Sequence, residues 1–257
     1  VDDYTTSPLN LKCAASLNCF TTSTSILGED LLEFVQKSLF PNIVFPTAEM
    51  IKDNKSSFPE VREAFFTLLT KVLTKLWIDI CMDDLASFSH LLDIIMWGIS
   101  HPQHSICIIC LDCIASLLNG IEVSDDSKLK MNFYSEFFCE IFINLVEIFV
   151  LDTHKFAFAR IIQIIYNMAS TLSHNLLSEC RAFLVEHISE RLVSFFPKLS
   201  VNVIEEASRN ILDVGIQQDA YRQTLRNFLL TGRKASVSDG ELFKTESNES
   251  FFGTQQS

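Results

Sequence analysis

Glycine is scarce in this chain, with 7 residues in 257, well under the ~7 % share of ordinary globular proteins. That scarcity argues against phosphate-cradling loops and against folds built on many tight β-turns. Proline is rare as well, with 6 residues, so long helical runs are permitted. Positive charge is in short supply: 20 Lys and Arg face 32 Asp and Glu, for a net charge of −12. Affinity for duplex nucleic acid rests on neutralising phosphates with basic side chains, so nucleic acid is a poor partner. A basic protein surface is the more natural complement.

Motifs that carry chemistry are missing too. There is no nucleophile elbow, P-loop or His-Glu-x-x-His run. His90, His154, His174 and His187 each stand on an expected helix without a paired nucleophile. Asp125-Asp126 reads as a solvated turn, because nothing beside it could raise one carboxyl selectively. The 8 cysteines sit mostly within apolar helical stretches, which fits reduced core thiols of the cytosol or nucleus better than a disulfide framework. Cys107, Cys110 and Cys113, with His101 and His104 upstream, are spaced by threes. On a helix each such step turns the side chain by about 300°, so the thiols fan out and a metal centre is not expected. Neither an enzyme nor a resident cofactor is expected.

No charged-then-apolar leader opens the chain, which starts at Val1 and is expected to be the C-terminal part of something longer. The longest uncharged window, Ile94 to Leu111, contains His101, Pro102 and His104 and does not read as a membrane span. The positive mean hydropathy then fits a repeat protein whose first repeat faces apolar neighbours upstream.

What the sequence has is helical periodicity, repeated along nearly its whole length. Phe58, Val61, Phe65, Leu68, Val72 and Leu76 form one stripe at spacings of three and four. Ser57 and Glu60 resemble a capping box around it, with Pro59 in the first turn. Leu85, Phe88, Leu92, Ile95 and Ile99 form a second stripe, with Asp83 as the expected cap. The following helix, from about Gln103 to Leu118, is expected to stop at Asn119-Gly120.

Further helices are expected at Met131 to Leu151, at His154 (capped by Thr153) to Thr171, at Leu176 to Phe196, at Val201 to Val214 and at Gln218 to Leu230. Upstream, Leu9 to Ile26 and Glu29 to Phe40 are weaker, and Pro41 and Pro46 are expected to interrupt any continuous helix. Paired, the helices restart near Glu29, Asp84, Lys128 and Leu176, a period of roughly 45 to 55 residues that suits HEAT-type pairs. The expected fold is all-α, a HEAT-repeat α-solenoid of antiparallel helix pairs. Residues 1–216 would form the repeats, 217–232 a C-terminal helix and 233–257 an acidic Ser- and Glu-rich tail without a core of its own.

Two short patterns near the end suit modification: Arg233-Lys234-Ala235-Ser236 resembles a basophilic kinase site, and Ser238-Asp239-Gly240-Glu241 an acidophilic one. Phe251-Phe252 is an aromatic pair in a polar tail, able to dock on the repeats.

Several segments, in order, resemble the exportin-1 family of nuclear export receptors, the chromosome-region-maintenance branch of the importin-β (karyopherin) superfamily. Phe58-Pro59-Glu60-Val61-Arg62 with Phe65-Phe66 and Leu68-Leu69 is similar to its (Tyr/Phe)-Pro-Glu-x-Arg…Phe-Phe-x-Leu-Leu segment. Leu91 to Trp97, Phe133-Tyr134 with Phe137 to Ile141, and Asp152-Thr153-His154 resemble the next landmarks. Gln218-Asp219, Tyr221 and Leu225 to Leu229 resemble the terminal helix, and Glu241-Leu242-Phe243 its acidic tail. The resemblance runs from about Leu9 to Phe243.

It implies the last repeats of a ring-shaped superhelix that shuttles through the nuclear pore between nucleus and cytoplasm. Such a receptor binds leucine-rich export-signal cargo together with Ran-GTP, the GTP being carried by Ran, and passes nuclear pore proteins on the way. The cargo groove would lie upstream of Val1. The segment corresponding to this chain would help close the ring, and its terminal helix and tail would restrain cargo affinity when Ran is absent. On this chain the helix contacts would be Tyr221, Leu225, Phe228 and Leu229, and the tail contacts Asp239, Glu241, Leu242 and Phe243, with Glu246 and Glu249 adding charge. The alternative is a general HEAT scaffold, such as a phosphatase-type subunit, or another karyopherin.

Overall fold

A computed structural model describes residues 14–53, 58–172, 178–215 and 217–236. Every regular element among the described residues is helical, and none is a strand. They fall into two compact units, divided within one helix between Ile161 and Ile162.

The first unit begins with α1 (Ala14–Leu27), which passes through a 3₁₀ turn and a three-residue α2 (Leu32–Phe34) into a π-helical stretch, Val35–Val44, and then α3 (Phe45–Asp53). The prolines do not interrupt this path as expected. Pro41 lies inside the π-helical stretch, and Pro46 occupies the first turn of α3. A proline lacks the donor and crowds the preceding turn of an α-helix; the wider π turn, in which the Phe45 amide donates to the Phe40 carbonyl, accommodates both effects.

α4 (Pro59–Asp83) is the central helix of this unit and packs against α1, α5 (Leu85–Ile99) and α6 (His104–Val123). Its stripe of Val61, Phe65, Leu68, Val72 and Leu76 is buried, and Phe66, Leu69, Leu73 and Ile80 widen the buried arc. Each such side chain contributes about 1.5–3 kcal/mol by removal from water, before the entropy of ordering it is subtracted. Ser57 falls outside the described residues. The residue before the helix, Phe58, has left-handed backbone (φ 58°) and no side-chain cap bond. Between α4 and α5 the cap is Asp84, one residue after the expected Asp83, and its carboxylate accepts from the Ser87 amide at 3.0 Å.

α6 does not stop at Asn119-Gly120 but continues to Val123. Gly120 serves close packing: a Cβ there would stand 3.0 Å from the Trp77 ring of α4. α6 is also long and apolar enough to cross a membrane, yet Ile106, Leu111, Ile114, Leu117 and Ile121 are buried among neighbouring helices, as in a core helix. α7 (Ser127–Phe133), capped by Asp126, runs through a π turn, Tyr134–Phe138, into α8 (Cys139–Val150). A 3₁₀ segment, Asp152–Ala157, then occupies the place where an α-helix capped by Thr153 was expected, and α9 begins at Phe158 and ends at Leu172.

The second unit comprises the rest of α9, α10 (Ser178–Phe195), α11 (Val201–Ile211) and α12 (Gln218–Ser236). α11 is three residues shorter than expected, and α12 runs beyond Gly232 to Ser236. Consecutive helices joined by short connections pack side by side, α10 on α11 and α11 on α12, the arrangement of antiparallel helical pairs.

Candidate interaction site at the C-terminal helix

α12 is polar on average but strongly amphipathic, so its position is set by one narrow stripe. Tyr221, Leu225 and Leu229, at spacings of four, are buried, and Phe228 beside them is half-buried. The Tyr221 ring meets Tyr166 of α9 edge to face, with centroids 5.1 Å apart. Its hydroxyl donates to the Ile211 carbonyl at 2.5 Å. That carbonyl belongs to the last turn of α11, which has no intrahelical donor, so the phenol acts as a C-terminal cap supplied by the next helix. Burial, with Tyr166 and Asp213 nearby, pushes the phenol well above its usual range. Gln218 donates to Gln163 of α9 at the start of the same face.

At the other end of α12, Phe228 stands edge-on to Phe196, with centroids 5.5 Å apart. A Cβ on Gly232 would fall 2.7 Å from the same Phe196 ring, so glycine is what lets this turn lie flat on the aromatic. Elsewhere in this unit α10 and α11 are joined by a hydroxyl pair, half-buried Ser189 Oγ donating to buried Ser208 Oγ at 2.8 Å while Ser208 donates to the Ile204 carbonyl. The four helix residues singled out in the sequence thus share one face, turned onto α9, the end of α10 and α11. Asp239, Glu241, Leu242, Phe243, Glu246, Glu249 and the pair Phe251-Phe252 lie outside the described residues.

Periodicity made the stripe legible, but not Gly232 against Phe196, Gln163 with Gln218, or Ser189 with Ser208. Two of those contacts join helices that do not follow one another in the chain, and the third joins α10 to α11. The one available signal was a glycine inside an otherwise uninterrupted helical pattern, which marks close approach as often as an end.

Between α10 and α11, Arg181, Ala182, Val185, Arg209, Asn210 and Asp213 line a shallow groove of about 460 Å³. Arg209 is paired along its own helix with Glu205 at 3.0 Å, and the groove holds no nucleophile beside a base. His90 stacks on Phe45, and His187 bonds the Phe183 carbonyl; His174 lies outside the described residues. The three thiols of α6 are all buried. Burial pushes Cys107 up to about 11, Cys110 well above the usual thiol range, and Cys113 to about 12. Among the described residues no three His, Cys, Asp or Glu side chains converge as metal ligands.

These features describe an apolar, helix-paired scaffold in which α12 packs on α9, the end of α10 and α11. Exportin-1 of Schizosaccharomyces pombe is 23 % identical over 268 residues, covering 99 % of this chain and 25 % of the relative. Exportin-1 of Drosophila melanogaster is 22 % identical over 227 residues, covering 85 % of this chain and 21 % of the relative. Protein EXPORTIN 1B of Arabidopsis thaliana is 20 % identical over 217 residues, covering 79 % and 20 %. The chain therefore spans about a quarter or less of the length of these relatives. A family model described as CRM1 C terminal matches residues 1–236, and the chain belongs to that family, an all-α fold of the HEAT-repeat type.

Proposed function

We propose that this chain forms the C-terminal repeats of a nuclear export receptor that carries leucine-rich export-signal cargo through nuclear pores together with Ran-GTP. The observation that carries this reading is the extent of the match: 79–99 % of this chain aligns with proteins named exportin, always as a minor part of their length. The role is non-enzymatic, shuttles between nucleus and cytoplasm, and needs no cofactor beyond the GTP held by Ran. In it, this segment helps close the ring, and the terminal helix and acidic tail restrain cargo affinity.

The physics of such restraint is modest. Two ligands couple when both favour one of two conformations, typically by 1–3 kcal/mol, or about 5–150-fold. The stripe of Tyr221, Leu225, Phe228 and Leu229 holds α12 in place, the acidic tail residues Asp239, Glu241, Glu246 and Glu249 supply a salt-sensitive attraction to a basic surface, and Leu242 and Phe243 are further tail contacts.

The test is fluorescence anisotropy of a labelled leucine-rich export peptide against the receptor that contains this chain, with and without Ran-GTP. Tightening by Ran of at least about fivefold supports the reading. Equal affinity in both conditions, or no binding in either, overturns it in favour of a general HEAT scaffold.

A further inference from the structure

The last turn of α12 carries Arg233 and Lys234, the sole pair of adjacent basic residues in a chain of net charge −12. Ser236, the last residue of α12, follows Arg233 by three positions and Lys234 by two, and Val237 comes next in sequence. We propose that Ser236 is a phosphorylation site for a basophilic serine kinase, and that phosphate there loosens the final turn of α12.

The chemistry follows from spacing and charge. A kinase that selects basic residues at these two positions does so with carboxylates, which take guanidinium groups in charge-assisted, often bidentate, pairs. An apolar residue after the serine fits a hydrophobic recess beside the same cleft. Three other places set one basic residue three positions before a hydroxyl, Lys71 before Thr74, Arg191 before Ser194 and Lys244 before Ser247. In none of them does a second basic residue stand beside the first. Thr74 lies in the interior of α4. Ser194 is exposed but lies inside α10, its hydroxyl donating to the Arg191 carbonyl at 2.7 Å.

A kinase cleft takes its substrate extended, so the last helical turn must open. Gly232 divides α12 at the right point. Up to Gly232 the helix packs on Phe196; beyond it Lys234 is exposed, and glycine is the least helix-favouring residue after proline. In the transfer, Ser236 Oγ forms a bond to the γ-phosphorus of Mg-ATP. The bond from that phosphorus to the bridging oxygen breaks, ADP leaves, and the hydroxyl proton passes to the kinase's carboxylate base. The product is nearly dianionic and sits where a helix exposes its unpaired carbonyls and the negative end of its dipole. Phosphate at a helix C-terminus therefore disfavours re-formation of the turn.

The full chain is incubated with the catalytic subunit of a cyclic-AMP-dependent kinase and labelled Mg-ATP, and the product is mapped by peptide mass spectrometry. Phosphate is expected at Ser236, none with Ser236→Ala, and an initial rate lower by at least about tenfold with Arg233→Ala, the loss of one charge-assisted pair. Amide hydrogen exchange across Arg233 to Ser236 should quicken about two- to fivefold on phosphorylation. Phosphate mapping instead to Ser194, Thr74 or Ser247, no incorporation, or an unchanged rate with Arg233→Ala would overturn the site. Unchanged or slower exchange in the phosphorylated chain would overturn the loosening.

Discussion

At Asp84 one carboxylate ends a 25-residue helix and starts the next. Its bonds with Ser87, side chain first and then backbone, hold the carboxyl below the usual aspartate range. Because the folded pKa is depressed, the stabilisation is present above the unfolded value of about 3.9 and is lost as pH falls through the folded value. Asp84→Ala should cost about 1 kcal/mol at pH 7. The gap in thermal midpoint between the two proteins should narrow as pH is lowered past about 4; a gap independent of pH would mean the cap contributes nothing through its charge. Tyr221 offers a second single-atom test. Tyr221→Phe keeps the ring on Tyr166 but leaves the Ile211 carbonyl without its donor. The expected cost is about 1–2 kcal/mol in denaturant unfolding. The sequence showed that Tyr221 faces a core, because spacing alone gives that. It could not show the hydroxyl's partner, because the Ile211 carbonyl is an orphan only once α11 is seen to end there.

Helices as units were largely legible, and their ends were not. The stripes of α4 and α5 are where periodicity puts them, since burying one face outweighs small differences in propensity. The misread ends share a cause. Gly120, Pro41 and Pro46 were read as local stops, but tertiary contact or a wider helical turn absorbed each of them. Gly232→Ala separates local from tertiary preference most sharply. Helix propensity alone favours alanine by about 1 kcal/mol, whereas the added methyl would overlap the buried Phe196 ring. Overpacking costs about 1–3 kcal/mol, so the substitution should lower the thermal midpoint; a rise would show that the α12 end is not seated on Phe196. The thiols of α6 test the same core by chemistry. Alkylation at pH 8 followed by peptide mapping should label exposed Cys19 readily and leave Cys81, Cys107, Cys110 and Cys113 unmodified until denaturant is added. Fast labelling of Cys110 in the native protein would contradict its place among α4, α5 and α6.

For the molecule as a whole, the packing of α12 decides where the chain can be cut to examine the proposed restraint of cargo binding. A cut after Val214 removes Tyr221, Leu225 and Leu229 from the second unit, together with the donor to Ile211 and the cover over Phe196. At about 1.5–3 kcal/mol for each buried side chain, the loss is comparable to the net stability of many domains, about 5–15 kcal/mol. Any change in peptide affinity after that cut would mix lost restraint with a disordered last layer. A cut after Ser236 leaves the stripe and Gly232 in place and removes only residues 237–257, with Asp239, Glu241, Glu246 and Glu249 among them. The Val214 truncation should therefore melt several degrees lower, while the Ser236 truncation keeps its stability within about 0.5 kcal/mol of the intact protein. If the tail restrains cargo, the Ser236 truncation alone should tighten Ran-free export-peptide binding by about 5–150-fold, and added salt should shrink the difference between truncated and intact receptor. Unchanged affinity with an unchanged midpoint would remove the tail from the restraint and leave that role to α12.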